Sequence, residues 1–384
     1  MKITHILLFG LLITLTSTAI AAPYQKGWGT SVIDQKTGKS GVKIGGRLQA
    51  IAAVDSETET QDFYFRRMRV NFSYNPKPNH KIVYDVRNDN ANKGDKGEQT
   101  FNIGDAYWQI DFKKFKLKAF RGKVDVSYSQ TSSSKNLFTP ERTFVSEHAS
   151  DFVVENRRAN NVQINGNLGN LSYHVVVSDG VNSNDLEDVA ENEVTAVDGQ
   201  KFTYGGKLRY YFFGDPVKNP AQDTFYGKHD TFSIGAAFFA NDKIIVDNTG
   251  NALSEFNMAR NLTNIELSFA KGGLRILGEY FAFSGDIIDL TATDKEDILG
   301  DSNGYYIQSE YVFNKLAPFV SYEVFDKNLD SDDAQLTNTT VGINYYQDLE
   351  GERYGVAYRL TENEDELNSG DDEEFLYAYI MLNF

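Results

Sequence analysis

The sequence predicts an all-β protein, a closed antiparallel transmembrane β-barrel of about sixteen strands. Three observations carry that prediction. Apolar and polar residues alternate with a period of two in segment after segment, as in strands with one face in lipid and the other in water. The connections between those segments fall into a short set and a long set that take turns along the chain. A chain of mean hydropathy −0.44 nonetheless carries 27 Phe, 22 Tyr and 2 Trp against 7 Pro, which fits aromatic girdles around a wet interior.

The chain opens with an export leader. Met1-Lys2 supply a short basic start, Ile6 to Ile13 an apolar stretch, and Ala19-Ile20-Ala21 a small-x-small cleavage site. The apolar stretch is short for a bilayer span and no stop-transfer pattern follows it. Residues 1–22 are therefore expected to be a signal peptide, removed after Ala21 or Ala22. Residues 23–40, polar and Gly-containing, are expected to form a loose lead, and 41–384 a single barrel domain.

Sixteen segments follow, near 42–54, 63–74, 81–89, 102–112, 115–123, 161–168, 171–178, 203–212, 231–240, 262–270, 273–283, 304–313, 317–326, 338–346, 352–361 and 374–384. In the first, Val42, Ile44, Leu48, Ala50, Ala52 and Val54 oppose Lys43, Arg47 and Gln49. In the second, Met68, Val70, Phe72 and Tyr74 oppose Arg67, Arg69, Asn71 and Ser73. Ile82, Tyr84 and Val86 oppose Asp85 and Arg87, and Ala106, Trp108 and Ile110 oppose Asp105, Gln109 and Asp111. Further along, Leu208 and Tyr210 oppose Lys207 and Arg209, and Ile265, Leu267 and Phe269 oppose Glu266 and Ser268. Tyr305, Ile307 and Tyr311 oppose Gln308 and Glu310, while Tyr354, Val356, Tyr358 and Leu360 oppose Gly355, Ala357 and Arg359. In the last, Leu376, Ala378, Ile380, Leu382 and Phe384 share one face and the chain ends on the Phe, as the terminal strand of outer-membrane barrels does. An edge strand of a β-sandwich is the blander alternative for that segment taken alone.

The connections argue against a sandwich. After even-numbered segments they are short: Asn75 to Asn79, Lys113-Lys114, Gly169-Asn170, Gly272-Gly273, Asn314-Lys315 and Gln347 to Gly351. After odd-numbered segments they are long: 124–160, 179–202, 241–261, 284–303, 327–337 and 362–373. Short periplasmic turns and longer outer loops give this asymmetry. The stretch 213–230, long where a short turn belongs, is an exception. An even strand count leaves both termini in the periplasm.

Composition excludes several classes of function. The chain has no cysteine, so disulfides, thiolate metal sites and thiol nucleophiles are ruled out. A formal charge of −16 argues against a nucleic-acid partner. No cofactor is expected. Outside the leader the histidines are His80, His148, His174 and His229, and none stands with a Ser and an orienting partner as a barrel lipase or protease requires. Asp326-x-Asn328-x-Asp330-x-Asp332 begins like a calcium loop, but Ser331 takes the place of the required Gly and Thr337 that of the bidentate Glu. A solvated acidic loop, of the kind divalent ions bridge to lipopolysaccharide, fits those residues better.

The acidic residues cluster in loops, whereas the predicted lumen positions are richer in cations. These are Lys43, Arg47, Arg67, Arg69, Arg87, Lys116, Lys118, Lys207, Arg209, Arg275 and Arg359, against Asp85, Asp105, Glu266, Glu279, Glu310 and Glu323. Most of the positive excess lies on the first five strands, as one basic wall facing a mixed wall. Such a stripe biases a pore toward anions. The plainer reading of the same cations is solvated side chains in a wide, water-filled pore.

The stretch Phe120-Arg121-Gly122-Lys123 through Ser132-Ser133, Leu137, Phe138, Glu141 and Arg142 resembles a known family, the phosphate-selective porin O and P family. The same resemblance runs through Gly46-Arg47-Leu48-Gln49, Phe65-Arg66-Arg67-Met68-Arg69-Val70, Gly304-Tyr305-Tyr306-Ile307-Gln308 and Pro318 through Asp326, and weakens at 179–230 and 240–262. It implies a sixteen-stranded, homotrimeric porin of the bacterial outer membrane whose third outer loop folds into the lumen and narrows it, passing small hydrophilic solutes by passive diffusion. That loop is then 124–160, with Lys135, Arg142, Arg157 and Arg158 as its cations and Glu141 and Glu147 among them. Arg47, Arg67 and Arg69 are candidate rungs of the family's arginine ladder for phosphate. The loop's lysines are not clustered, which departs from the family's pattern and leaves phosphate as one form of a broader anion preference. A non-conducting surface-binding or adhesion barrel, using the acidic outer loops, is the alternative from another class.

Overall fold

The computed structural model describes residues 31–33, 40–56, 60–91, 93, 100–154, 158–179, 196–198, 202–216, 230–247, 255–289, 301–327, 329, 335–348, 352–363 and 372–383. Among these, eighteen strands make one antiparallel sheet. In chain order they are β1 (Ser31–Ile33), β2 (Ser40–Asp55), β3 (Gln61–Tyr74), β4 (His80–Ala91), β5 (Asn102–Asp111), β6 (Phe115–Gly122), β7 (Ala159–Leu168), β8 (Leu171–Ser178) and β9 (Ala196–Asp198). There follow β10 (Thr203–Phe213), β11 (Thr231–Asp247), β12 (Glu255–Lys271), β13 (Leu274–Asp289), β14 (Ser302–Tyr311), β15 (Leu316–Asp326), β16 (Gln335–Asp348), β17 (Glu352–Asn363) and β18 (Glu373–Asn383). β8 pairs with β10 and β18 pairs with β2, so sixteen strands close into a ring and every barrel strand has two neighbours. Closure removes the open sheet edge that a bilayer would not tolerate.

Each of the sixteen predicted segments is a strand. The largest difference in length is at β11, β12 and β13, which run for 17, 17 and 16 residues and continue past the predicted ends near 240, 262 and 283. At ~3.4 Å per residue they are far longer than the ~25 Å apolar band demands, so their ends stand clear of the bilayer. There no lipid imposes alternation, and the pattern that announces a strand is lost. The two three-residue strands were not predicted either. β1 pairs with β2 beside residues 40–43, and β9 with the far end of β11.

The outer surface is the apolar one. On β14, Tyr305 and Ile307 are exposed while Tyr306, Gln308 and Glu310 are enclosed. Aromatic pairs gather at the end of the barrel that carries the short turns, with Phe112 and Phe115 rings 4.7 Å apart and Phe212 and Phe232 4.9 Å apart. That is where an interfacial girdle belongs.

The connection after β6 turns inward. It carries two helices, α1 (Tyr128–Thr131) and α2 (Phe144–Val153). In α2 an apolar stripe of Val145, Ala149, Phe152 and Val153 is buried against the wall, with His148 in the same row. The wall it meets is itself apolar: Phe239, Leu262, Phe281, Phe283, Phe319 and Phe325 point inward on β11 to β15 and pack with the loop. The expectation that greasy side chains meet lipid alone therefore fails on this half. The loop replaces water as their neighbour, at ~1.5–3 kcal/mol of burial for each large side chain. Gly304 on β14 permits the approach, since a Cβ there would lie 2.7 Å from Val145 Cγ2 and 2.8 Å from the Val324 carbonyl.

Candidate functional site

Strict alternation would send Arg66 into lipid. The register prevents this, because Gln49 pairs with Arg67 and Ala50 with Phe65, leaving Arg66 as the extra residue of a β-bulge. Arg66 and Arg67 consequently both reach the Glu141 carboxylate of the inturned loop, Arg67 at 3.5 Å. Burial would raise the Glu141 carboxyl, but Arg66 and then Arg67 overcome it and hold the group down at about 2. Arg67 and Gln49 also donate to the Pro140 carbonyl, at 3.4 and 3.5 Å. Arg47 donates to Asn383 Oδ1 at 2.8 Å, to Ser133 Oγ at 2.6 Å and to Ser134 Oγ. Arg142 turns back on its own loop, donating to the Ser129 and Ser132 carbonyls at 3.1 and 2.8 Å.

The opposite wall clamps the loop. Arg275 donates to the Asn136 carbonyl at 3.2 Å, Asn344 to that of Phe138 at 2.9 Å, Arg260 to that of Phe152 at 3.1 Å, and Arg353 to that of Leu137. Two wall carboxylates receive the loop's unbonded amides. Glu279 accepts from Ser127 Oγ at 2.8 Å and from the Tyr128 and Ser129 amides at 2.7 and 3.2 Å. Glu323 accepts from the Val145 amide at 2.7 Å, in the first turn of α2, where Thr143 offers no side-chain cap. Bonds to charged groups contribute ~1.5–3 kcal/mol each, so the loop is fixed from several directions.

The wall of β4 to β8 is left uncovered by the loop's helices. At its edge Arg69 of β3 donates to Asp89, with Nε 3.0 Å from Oδ1, and on the wall itself Arg87 sits with Asp85 and, at 3.5 Å, Asp105. Arg158, where the loop rejoins the barrel, is 3.2 Å from Asp105. Lys81, Lys116 and Lys118 have no ion-pair partner among the described residues. Lys118 lies over the rings of Tyr107 and Phe120, at 4.5 and 4.1 Å.

The cations expected in the lumen thus divide. Arg47, Arg69, Lys118 and Arg158 line the narrowing or the uncovered wall. Arg67, Arg87, Lys207, Arg209 and Arg275 face inward but are almost wholly enclosed, Arg67 and Arg275 being 1 and 2 % exposed. Lys207 bridges Asp125 and Glu266 at 2.8 and 2.9 Å, Arg209 holds Glu266, and Arg275 holds Glu310 at 3.1 Å. Arg359 stacks on Phe375 at 4.8 Å, beside Glu373. Of the candidate calcium ligands Asp326 is described, while Asn328, Asp330 and Asp332 lie outside the described residues, as do Arg157, the side chain of Lys135, and the leader 1–22. Sequence reasoning missed Arg66, hidden by the bulge, Arg260, which lies outside the predicted segment where no alternation marks a strand, and Lys81 and Arg353, which the alternation beside their apolar neighbours could have supplied.

The sequence profile of the family described as phosphate-selective porin O and P matches residues 42–384. No curated protein matches the chain significantly. Among solved structures, the chain is similar to the anion-selective porin from Comamonas acidovorans, with 14% identity, a TM-score of 0.61, and 90% of this chain and 100% of that one covered. It is similar also to OmpF of Salmonella typhi in complex with daunomycin, with 13% identity, a TM-score of 0.60, and 89% and 97% covered. The outer membrane channel DcaP of Acinetobacter baumannii has 11% identity, a TM-score of 0.59, and 92% and 100% covered.

Proposed function

The chain belongs to the phosphate-selective porin O and P family and is an outer-membrane porin, a passive channel for small solutes; on that premise we propose that its pathway prefers anions. The observation that carries the reading is the uncovered wall, where Lys81, Lys116 and Lys118 stand without carboxylate partners while the enclosed carboxylates on the far side are bound to the loop or to arginines. Ammonium groups without an ion-pair partner in a confined aqueous path raise the local anion concentration and repel cations. Phosphate is the sharper form of the proposal, with Arg47, Arg66 and Arg69 at the narrowing as its contacts. Cleavage of the leader after Ala21 or Ala22, a homotrimeric assembly, and docking of the acidic outer loops to lipopolysaccharide through divalent ions belong to the same reading.

The test is reconstitution in a planar bilayer with asymmetric KCl. The reversal potential is expected on the anion-preferring side, and a cation-preferring potential would overturn the proposal. Phosphate added to chloride current tests the sharper form, which requires block. Protein that inserts but does not conduct would point to the surface-binding alternative.

A further inference from the structure

The uncovered wall carries more than charge. The interior face of β7 reads Asn161, Gln163, Asn165, Asn167, four carboxamides in succession, while Val162, Ile164 and Leu168 face out. Asn161 donates to the backbone carbonyls of Gly122 and Ala159 at 3.1 and 2.7 Å, and Asn167 accepts from Ser172 at 2.9 Å. Gln163 and Asn165 have no side-chain hydrogen bond among the described residues. Both line a cavity of about 760 Å³ that also meets Lys116, His174, Lys207 and Asp125, whose carboxylate is held by Lys207 at 2.8 Å.

Register fixes their company. Lys118 is the partner of Gln163, Lys116 the partner of Asn165, and His174 lies across from Asn165 on its other side. Neighbouring strands are ~4.8 Å apart and alternate residues ~7 Å, so two carboxamides, two ammonium groups and an imidazole share a patch the size of a small organic solute. His174 is 7 % exposed, its Nδ1 faces Asp125 at 3.7 Å, and its Nε2 has no partner. A buried polar atom without a partner on a cavity wall is one a ligand can satisfy.

We infer that this patch binds hydroxylated organic anions, sugar acids and sugar phosphates, as they cross. The inference rests on the anion-preferring reading and names a solute class for it. A carboxamide offers a donor and an acceptor side by side, which matches neighbouring hydroxyls. The lysines attract the acid group. Chloride uses only the lysines and a neutral sugar only the amides, so a solute bearing both groups gains from both.

The experiment measures block of single-channel chloride current by gluconate, with glucose and acetate as controls, on the reconstituted full barrel. Gluconate is expected to block more strongly than either control. In Gln163→Leu with Asn165→Leu its affinity falls about tenfold, as loss of roughly two neutral hydrogen bonds implies, while the chloride reversal potential is unchanged because no charge has been removed. Should that pair assemble poorly, Asn165→Asp keeps the shape, and there gluconate block is expected to drop while glucose block persists. Gluconate no better than acetate, or block that survives these substitutions, overturns the inference. A cation-preferring reversal potential in the parent protein would instead overturn the reading beneath it.

Discussion

Arg66 shows how one residue's placement depends on its neighbour across the sheet. The bulge turns it from lipid to lumen, where it and Arg67 share the single carboxylate of Glu141. Glu141→Gln frees the Arg66 guanidinium and leaves the enclosed Arg67 without its counter-ion, so the reversal potential is expected to move further toward anions; a move toward cations would mean that the carboxylate is no counter-ion there. His148 belongs to the same scale. It is clasped by Phe283 and Phe325, with centroids 4.7 and 5.0 Å away, and burial, then Arg260, pushes its pKa down to about 4. Since that lies below the ordinary 6.5, the loosened state takes up a proton first as pH falls. The clasp is complete above 6.5, weakens down to about 4, and is flat below. Single-channel noise should rise across that window and should not do so in His148→Phe, which fits an aromatic clasp without a titrating group.

At the scale of elements, the loop and the β11–β15 wall form one packed unit. Gly304→Val drives a side chain into Val145 and the Val324 carbonyl, an overpacking expected to cost ~1–3 kcal/mol and to push α2 off the wall. Conductance should increase while the heat-modifiable gel mobility of the folded barrel is retained; unchanged conductance would place α2 away from the narrowest point. The long strands allow a separate test. Rejoining Asn241 to Arg260 through a two-residue turn removes the part of the hairpin above the bilayer, and those two residues are already cross-strand partners. Barrel assembly, read by the same mobility shift, is expected to survive because the closing pairs β8–β10 and β18–β2 are untouched.

Across the whole molecule, net charge does not decide the local charge that a solute meets. The chain is at −16, yet the uncovered wall holds cations without partners. Selectivity is therefore a local field, and salt will screen it: the Debye length falls from ~10 Å at 0.1 M to ~3 Å at 1 M. Anion preference measured in KCl should shrink markedly between those concentrations. A preference indifferent to salt would assign selectivity to direct contacts at Arg47, Arg66 and Arg69 instead.

The strand count and the inside and outside of most strands were legible in the sequence. Lipid and water act on each residue through its own side chain, so alternation records them locally. The inward course of 123–154 was available only through family resemblance, since nothing local distinguishes a loop that leaves the barrel from one that fills it. Which cations remain open to solutes was not legible at all. Arg67 and Arg69 are equivalent by alternation, yet one is enclosed under Pro140 and the other borders the pathway. That difference depends on a loop contributed from some seventy residues away, and such contacts exist only once the ring has closed and the loop has settled on its wall.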